Sequence, residues 1–141
     1  IGRPAAATLP ALKSAIVDQD PTVRVYIAEA ICRIDAGDAV ARQVLLRSLK
    51  HGEPMVRETA AYAVANLRLA EGEFASVLAE CLSDESSEVR AAAAFALGEV
   101  GDASPATLQG LKILTSDADK EVRLAAKLAL GRIEAAHASA R

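Results

Sequence analysis

Four arginines stand at equal intervals in this chain: Arg24, Arg57, Arg90 and Arg123, each preceded by valine and each 33 residues from the next. A guanidinium presents a planar, bidentate fork suited to phosphate or carboxylate, so a column of four could form a stacked anion site. The same column could instead be a structural ladder. The polar turns ahead of the arginines carry Asp18, Asp84 and Asp117 at matching positions, and each arginine can bridge to an aspartate of an adjacent unit through charge-assisted hydrogen bonds. Because the aspartates recur with the arginines, the ladder is the preferred reading. His51 replaces the aspartate in the second unit and is expected to leave Arg57 freer than the others.

Beyond this column the sequence offers little chemistry. The histidines are His51 and His137, in a turn and a tail, and no H-x-x-H, C-x-x-C or His-Glu pair occurs. Metal ligation has no support from such a set. Cys32 and Cys81 fall among small residues and read as inert buried thiols. No glycine-rich phosphate loop precedes a helix, no Ser-His-Asp set stands out, and the acids fall mainly in turns. The expectation is no active site, no cofactor and no enzymatic activity.

Composition narrows the partners. The 141 residues carry 19 acids and 16 bases, for a net charge of −3, without a basic arm or stripe, so nucleic acid is not an expected partner. No apolar run approaches the roughly 20 residues that span a bilayer, so no membrane partner is expected. The N-terminus, Ile1-Gly2-Arg3-Pro4, lacks an initiator methionine and a signal-peptide core. Two unpaired cysteines point to a reducing, cytoplasmic setting.

The elements that must position these residues follow from the same period. Around each Val-Arg pair the neighbours recur as well: Leu12, Leu45, Leu78 and Leu111 eleven residues before the valine, and Ile31, Val64, Leu97 and Leu130 eight after it. Ile27, Ala60, Ala93 and Ala126 stand four after; Ile34, Leu67, Val100 and Ile133 stand eleven after. Several columns at one period over four copies define a repeat protein. Each unit reads as a short helix (Leu9 to Ile16, Phe74 to Leu82), a polar turn, and a second helix of about 14 residues whose core face holds the valine and the residues four, eight and eleven beyond it. Asp20, Ser86 and Asp119 are natural N-caps, Pro21 and Pro54 fit the first helical position, and Glu53 is a poorer cap. Gly37, Gly72 and Gly101 mark the way to the next unit. Small residues at Ala28, Ala61 and Ala94, and at Cys32, Ala65, Gly98 and Gly131, let helix axes approach closely. Lys127 interrupts the first of these columns in the last unit.

At these residues the chain resembles the HEAT-like repeats, most closely the short variety named after phycobilisome lyases. The stretches that carry the likeness are "LPALKSAIVDQDPTVRVYIAEAICRI", "VLAECLSDESSEVRAAAAFALGEVGD" and "LKILTSDADKEVRLAAKLALGRI", with "LLRSLKHGEPMVRETAAYAVANL" the loosest. The resemblance implies an all-α, right-handed α-α superhelical solenoid of about four two-helix repeats, over 6–38, 39–71, 72–104 and 105–137, as one domain. Ile1 lies 33 residues before Ile34, so residues 1–5 read as the tail of a preceding repeat, and the chain as a segment of a longer solenoid. Some HEAT-repeat hydroxylases bind iron through His-Glu pairs, which this sequence lacks.

The resemblance also places second helices on the concave side. There the residues two, three, six and ten after each valine point away from the core: Val25, Tyr26, Glu29 and Arg33; Glu58, Thr59, Tyr62 and Asn66; Ala91, Ala92, Phe95 and Glu99; Leu124, Ala125, Leu128 and Arg132. Three of the four aromatics in the chain, Tyr26, Tyr62 and Phe95, sit at these positions. With Ala91, Leu124 and Leu128 they form an expected apolar contact patch, rimmed by Glu29, Arg33, Glu58, Asn66, Glu99 and Arg132. Packing of these side chains on one another, or contact with another copy, are the alternatives. The expected function is a non-enzymatic scaffold that binds a protein or peptide on the concave face. A partner subunit of a bilin-lyase-like assembly is the alternative, and a nucleic-acid groove ranks last because the face reads as balanced in charge. Both ends expose repeat interfaces, so end-to-end association of the segment is possible and would not by itself be physiological.

Overall fold

The 33-residue period resolves into four successive helix pairs. The computed structural model describes residues 2–17 and 20–140, and among these the chain is helix and turn without strand. The first helices of the pairs are α1 (Gly2–Ala15), α3 (Ala39–His51), α5 (Glu73–Cys81) and α7 (Pro105–Leu114); the second helices are α2 (Pro21–Ile34), α4 (Pro54–Leu67), α6 (Ser87–Val100) and α8 (Lys120–Ser139). The fold is an all-α solenoid. Ile1 and Asp18 lie outside the described residues, while Gly2 to Ala5, assigned by sequence to a tail, are part of α1.

Helix starts follow residue chemistry. Asp20 accepts from the Thr22 amide, Ser86 from Val89 and Asp119 from Glu121 and Val122, whereas Glu53 makes no side-chain cap. Asp38 and Ser104 cap α3 and α7 in the same way. Gly101 ends α6 at φ +72°, the left-handed conformation that glycine adopts without steric cost.

The two layers pack differently. Neighbouring second helices lie closer together than neighbouring first helices. A Cβ built on Gly98 of α6 would stand 2.8 Å from Cα of Ala129 on α8, so only glycine permits that approach. The closer packing thus lies in the second-helix layer, the side that the HEAT-like resemblance makes concave. The core runs the length of the stack, from Ile31 and Leu45 through Val64, Phe74 and Leu78 to Leu97, Leu111 and Ile133.

Two arginines of the column, Arg57 and Arg90, bridge successive helix pairs. Arg57 donates from Nε and Nη2 to the two carboxylate oxygens of Asp84, each at 2.8 Å. Arg90 does the same to Asp117, at 3.0 and 3.1 Å. The third nitrogen turns back to its own unit: Arg57 Nη1 donates to the Gly52 carbonyl, Arg90 Nη1 to Asp84 and Glu85, and Arg123 Nη1 to Asp117 and Ala118. Each aspartate also closes its own turn, Asp84 accepting from the Ser86 amide and Asp117 from the Asp119 amide. Burial pushes the Asp84 carboxyl up, but the Arg57 and Ser86 hydrogen bonds outweigh it and hold the group below the ordinary carboxylate range. For Asp117 the Arg90 hydrogen bond is the leading cause of the same lowering.

His51 corrects two expectations. Arg57 is not the freer arginine, since it holds Asp84 in both forks; each rung spans 27 residues, and the same offset from Arg24 lands on His51. Nor is His51 in a turn. Without an aspartate to bind the amide two residues on, α3 continues through His51 and stops at Gly52, where a Cβ would meet the Ser48 carbonyl at 2.6 Å.

The first pair also departs from the repeat's average. Val23 and Ile34, expected in the core, are 39% and 37% exposed, whereas Val25 and Glu29, expected on the surface, are buried. The reason is position in the stack: α2 has one neighbouring second helix, α4, where α4 and α6 each have two. The apolar side chains on its uncovered flank reach solvent, and those facing α4 are enclosed. Ala92 is likewise buried rather than on the surface, within the tight α4–α6–α8 layer.

Candidate binding groove

Positions six residues after the repeat valine come together across three second helices. Tyr62 of α4 and Phe95 of α6 meet with ring centroids 5.7 Å apart and planes at 51°, a tilted arrangement that suits the ring quadrupoles. They nonetheless remain 40% and 36% exposed, and Leu124 and Leu128 of α8 are 53% and 57% exposed. Packing on one another therefore covers only part of these side chains. With Ala91 they floor a cavity of about 540 Å³ whose lining comes from α4, α6, α8 and the Asp119 cap.

One end of the floor is closed by Arg132, whose guanidinium lies 5.7 Å from the Phe95 ring centre, within cation–π range. Arg132 also pairs with Glu99, which Arg68 approaches on its other side at 3.8 Å. At the opposite end Glu58, Glu88, Asp119 and Glu121 line the cavity. The lining thus sets four carboxylates against one guanidinium, whereas the rim positions named from sequence pair Glu29, Glu58 and Glu99 with Arg33 and Arg132. Burial, and then the nearby Glu58 carboxylate, push the Tyr62 phenol up, so Tyr62 stays neutral and available as a hydrogen-bond donor.

The sequence-derived patch is thus divided by the structure. Tyr62, Ala91, Phe95, Leu124 and Leu128 share the groove, with Glu58 and Arg132 on its rim. Tyr26 is 58% exposed but does not line the cavity. Glu29 is not a rim residue: it is buried and accepts from Arg33 Nη2 at 2.6 Å and Asn66 Nδ2 at 3.1 Å, so these three form a polar bridge between α2 and α4. Glu99 is held by the two arginines beside the groove. Sequence reasoning missed Ser87, Glu88 and Glu121, and it gave Asp119 only the role of an N-cap. A signal existed: Glu88 and Glu121 each precede a Val-Arg pair in consecutive units.

Other candidate chemistry is sparse. Cys32 and Cys81 are buried, and burial pushes the Cys81 thiol up to about 11. Among the described residues no three His, Cys, Asp or Glu side chains gather as metal ligands. No described helix is long and apolar enough to cross a membrane.

Comparisons with known proteins place this geometry. The family pattern described as HEAT repeats matches residues 8–82 and 74–140. No curated protein matches the chain in sequence. Among solved structures, the chain is similar to human deoxyhypusine hydroxylase in complex with glycerol, at 25% identity and a TM-score of 0.64 over 89% of this chain. It spans 43% of that chain, less than half of the hydroxylase's length. This likeness overturns the expectation that the chain is not an enzyme: an enzyme is built on the same helix stack, and lack of a catalytic motif in these residues no longer carries that conclusion.

Proposed function

Because the chain belongs to the HEAT repeat family, we propose that it holds a segment of another protein against its second-helix layer, in the groove floored by Tyr62, Ala91, Phe95, Leu124 and Leu128. The observation that carries this reading is the contiguous, solvent-open apolar floor across α4, α6 and α8. Aromatic and leucine side chains of this kind contribute roughly 1.5–3 kcal/mol each when a partner buries them, and a few such anchors dominate many interfaces.

The fold likeness to an enzyme supports a second reading of the whole protein, in which this segment presents a protein substrate to catalytic groups elsewhere in the assembly. The groove does the same work in both. Capture from source lysate with wild type and with the Tyr62→Glu/Phe95→Glu variant tests the shared claim, with circular dichroism to establish that the variant is folded. Partners lost only from the variant support the groove; an unchanged partner set places the contact elsewhere on the stack.

A further inference from the structure

The wall of the groove specifies its occupant more narrowly than the floor does. Resting on the reading that the groove holds a protein segment, we propose that this segment is both basic and apolar. Lysine or arginine side chains face Glu58, Glu88 and Glu121, while adjacent aliphatic or aromatic side chains sit on Phe95 and Leu124.

Local structure accounts for only half of the acidic wall. Asp119 caps α8, and Glu88 accepts from the Ser86 and Ser87 hydroxyls at the start of α6. Glu58 lies inside α4, away from its cap, and neither Glu58 nor Glu121 has an ion-pair or side-chain hydrogen-bond partner among the described residues. The single guanidinium of the lining, Arg132, already has Glu99 as its counter-charge. A cationic occupant would therefore meet unneutralised carboxylates beside a low-dielectric floor, where such attraction is stronger than in open water.

The floor fits the same chemistry. Lysine and arginine stems lie along apolar surface while their heads reach a charged rim, and Arg132 over Phe95 shows that this ring accepts a cation above its face. From α4 to α8 the groove crosses two interhelix spacings, roughly 20 Å, which an extended segment of about six residues covers. An acidic segment or a nucleic-acid backbone would bring like charge to the wall, the repulsion by which such surfaces reject wrong partners.

The test uses fluorescein-labelled peptide pools in which Lys or Arg alternates with Leu, Ile or Phe, with matched pools carrying Gln or Glu at the basic positions. Anisotropy titrations are expected to show the basic pool binding about tenfold or more tighter than the Glu pool. Glu58→Gln/Glu121→Gln should lower its affinity about fivefold, leaving the Gln pool unchanged; Glu53→Gln/Glu80→Gln, which removes the same charge away from the groove, should not. Equal binding of all pools, or equal loss in the two double variants, overturns the charge assignment. In that event a Phe95→Ala variant that still weakens every pool leaves the groove reading standing. Binding indifferent to Phe95→Ala, or no binding by any pool, overturns both.

Discussion

The Arg90 guanidinium grips both carboxylate oxygens of Asp117, 27 residues further on and in the next helix pair. Arg57 grips Asp84 identically one pair earlier. Both partners of each rung are largely enclosed, with side-chain exposures of 10–18%, so removing one leaves a poorly solvated charge behind. Arg57→Ala and Arg90→Ala are each expected to cost about 2 kcal/mol in urea unfolding. Arg24→Ala should cost clearly less, because its register position holds His51 in place of an aspartate. Equal costs for the three would contradict the ladder.

The rungs also set an acid limit on stability. In the unfolded chain Asp84 and Asp117 take up protons near pH 3.9; in the fold both carboxyls are held lower. The unfolded state therefore binds more protons across that window, and stability falls as pH falls. The contribution is complete above about pH 5 and is lost as pH drops through the folded pKa values. Denaturation at stepped pH should show wild type losing stability below about pH 4 more steeply than Arg57→Ala/Arg90→Ala. Parallel curves would mean that the rungs do not perturb these carboxyls.

Two glycines at equivalent places in their repeats should respond oppositely to alanine. A Cβ at Gly98 meets the α8 backbone at Ala129, whereas one at Gly131 meets nothing within 4 Å. Gly131→Ala should stabilise by roughly 0.5–1 kcal/mol through helix propensity. Gly98→Ala gains the same propensity but forces α6 and α8 apart, and overpacking of about 1–3 kcal/mol outweighs it. Thermal unfolding of the two variants should therefore shift in opposite directions; a stabilised Gly98→Ala would show that the second-helix layer is looser than described.

Cys81 provides a local probe of the stack. Its thiol is buried between pairs, with Sγ 3.9 Å from the Leu49 carbonyl, and burial raises its pKa to about 11. At pH 8 the thiolate population is small and enclosed, so a disulfide reagent should modify Cys81 only as fast as the stack opens. Reaction at the rate of a free thiol would place Cys81 at the surface.

The period made the stack legible, since Leu45, Val64, Leu78 and Leu97 sit in the core where their columns require. The same columns set arginines and aspartates at one spacing but did not say which aspartate each arginine takes: Arg57, expected to be the freer one, holds Asp84. What failed depended on neighbours beyond the repeat. Val23 and Ile34 have the residue types of core positions, yet α2 is flanked by one second helix where inner pairs have two, and no column carries that fact. Glu29 looked exposed because its partner Asn66 lies 37 residues away on another helix. The acidic wall was hidden by the ordinary roles of its members: Asp119 and Glu88 suit a helix start, and only the packing of the layer turns them, with Glu58 and Glu121, toward one space.

The central claim is that a partner segment lies over α4, α6 and α8 on the concave face, and amide chemical-shift mapping tests it most directly. The ¹⁵N-labelled 141-residue chain would be titrated with the tightest-binding basic–apolar peptide. The account predicts that the largest shifts cluster at Glu58, Tyr62, Ala91, Phe95, Leu124 and Leu128, with Val44, Ser76 and Ile113 of the first-helix layer unmoved. Shifts concentrated on that outer layer, or at the ends of the stack, would contradict it.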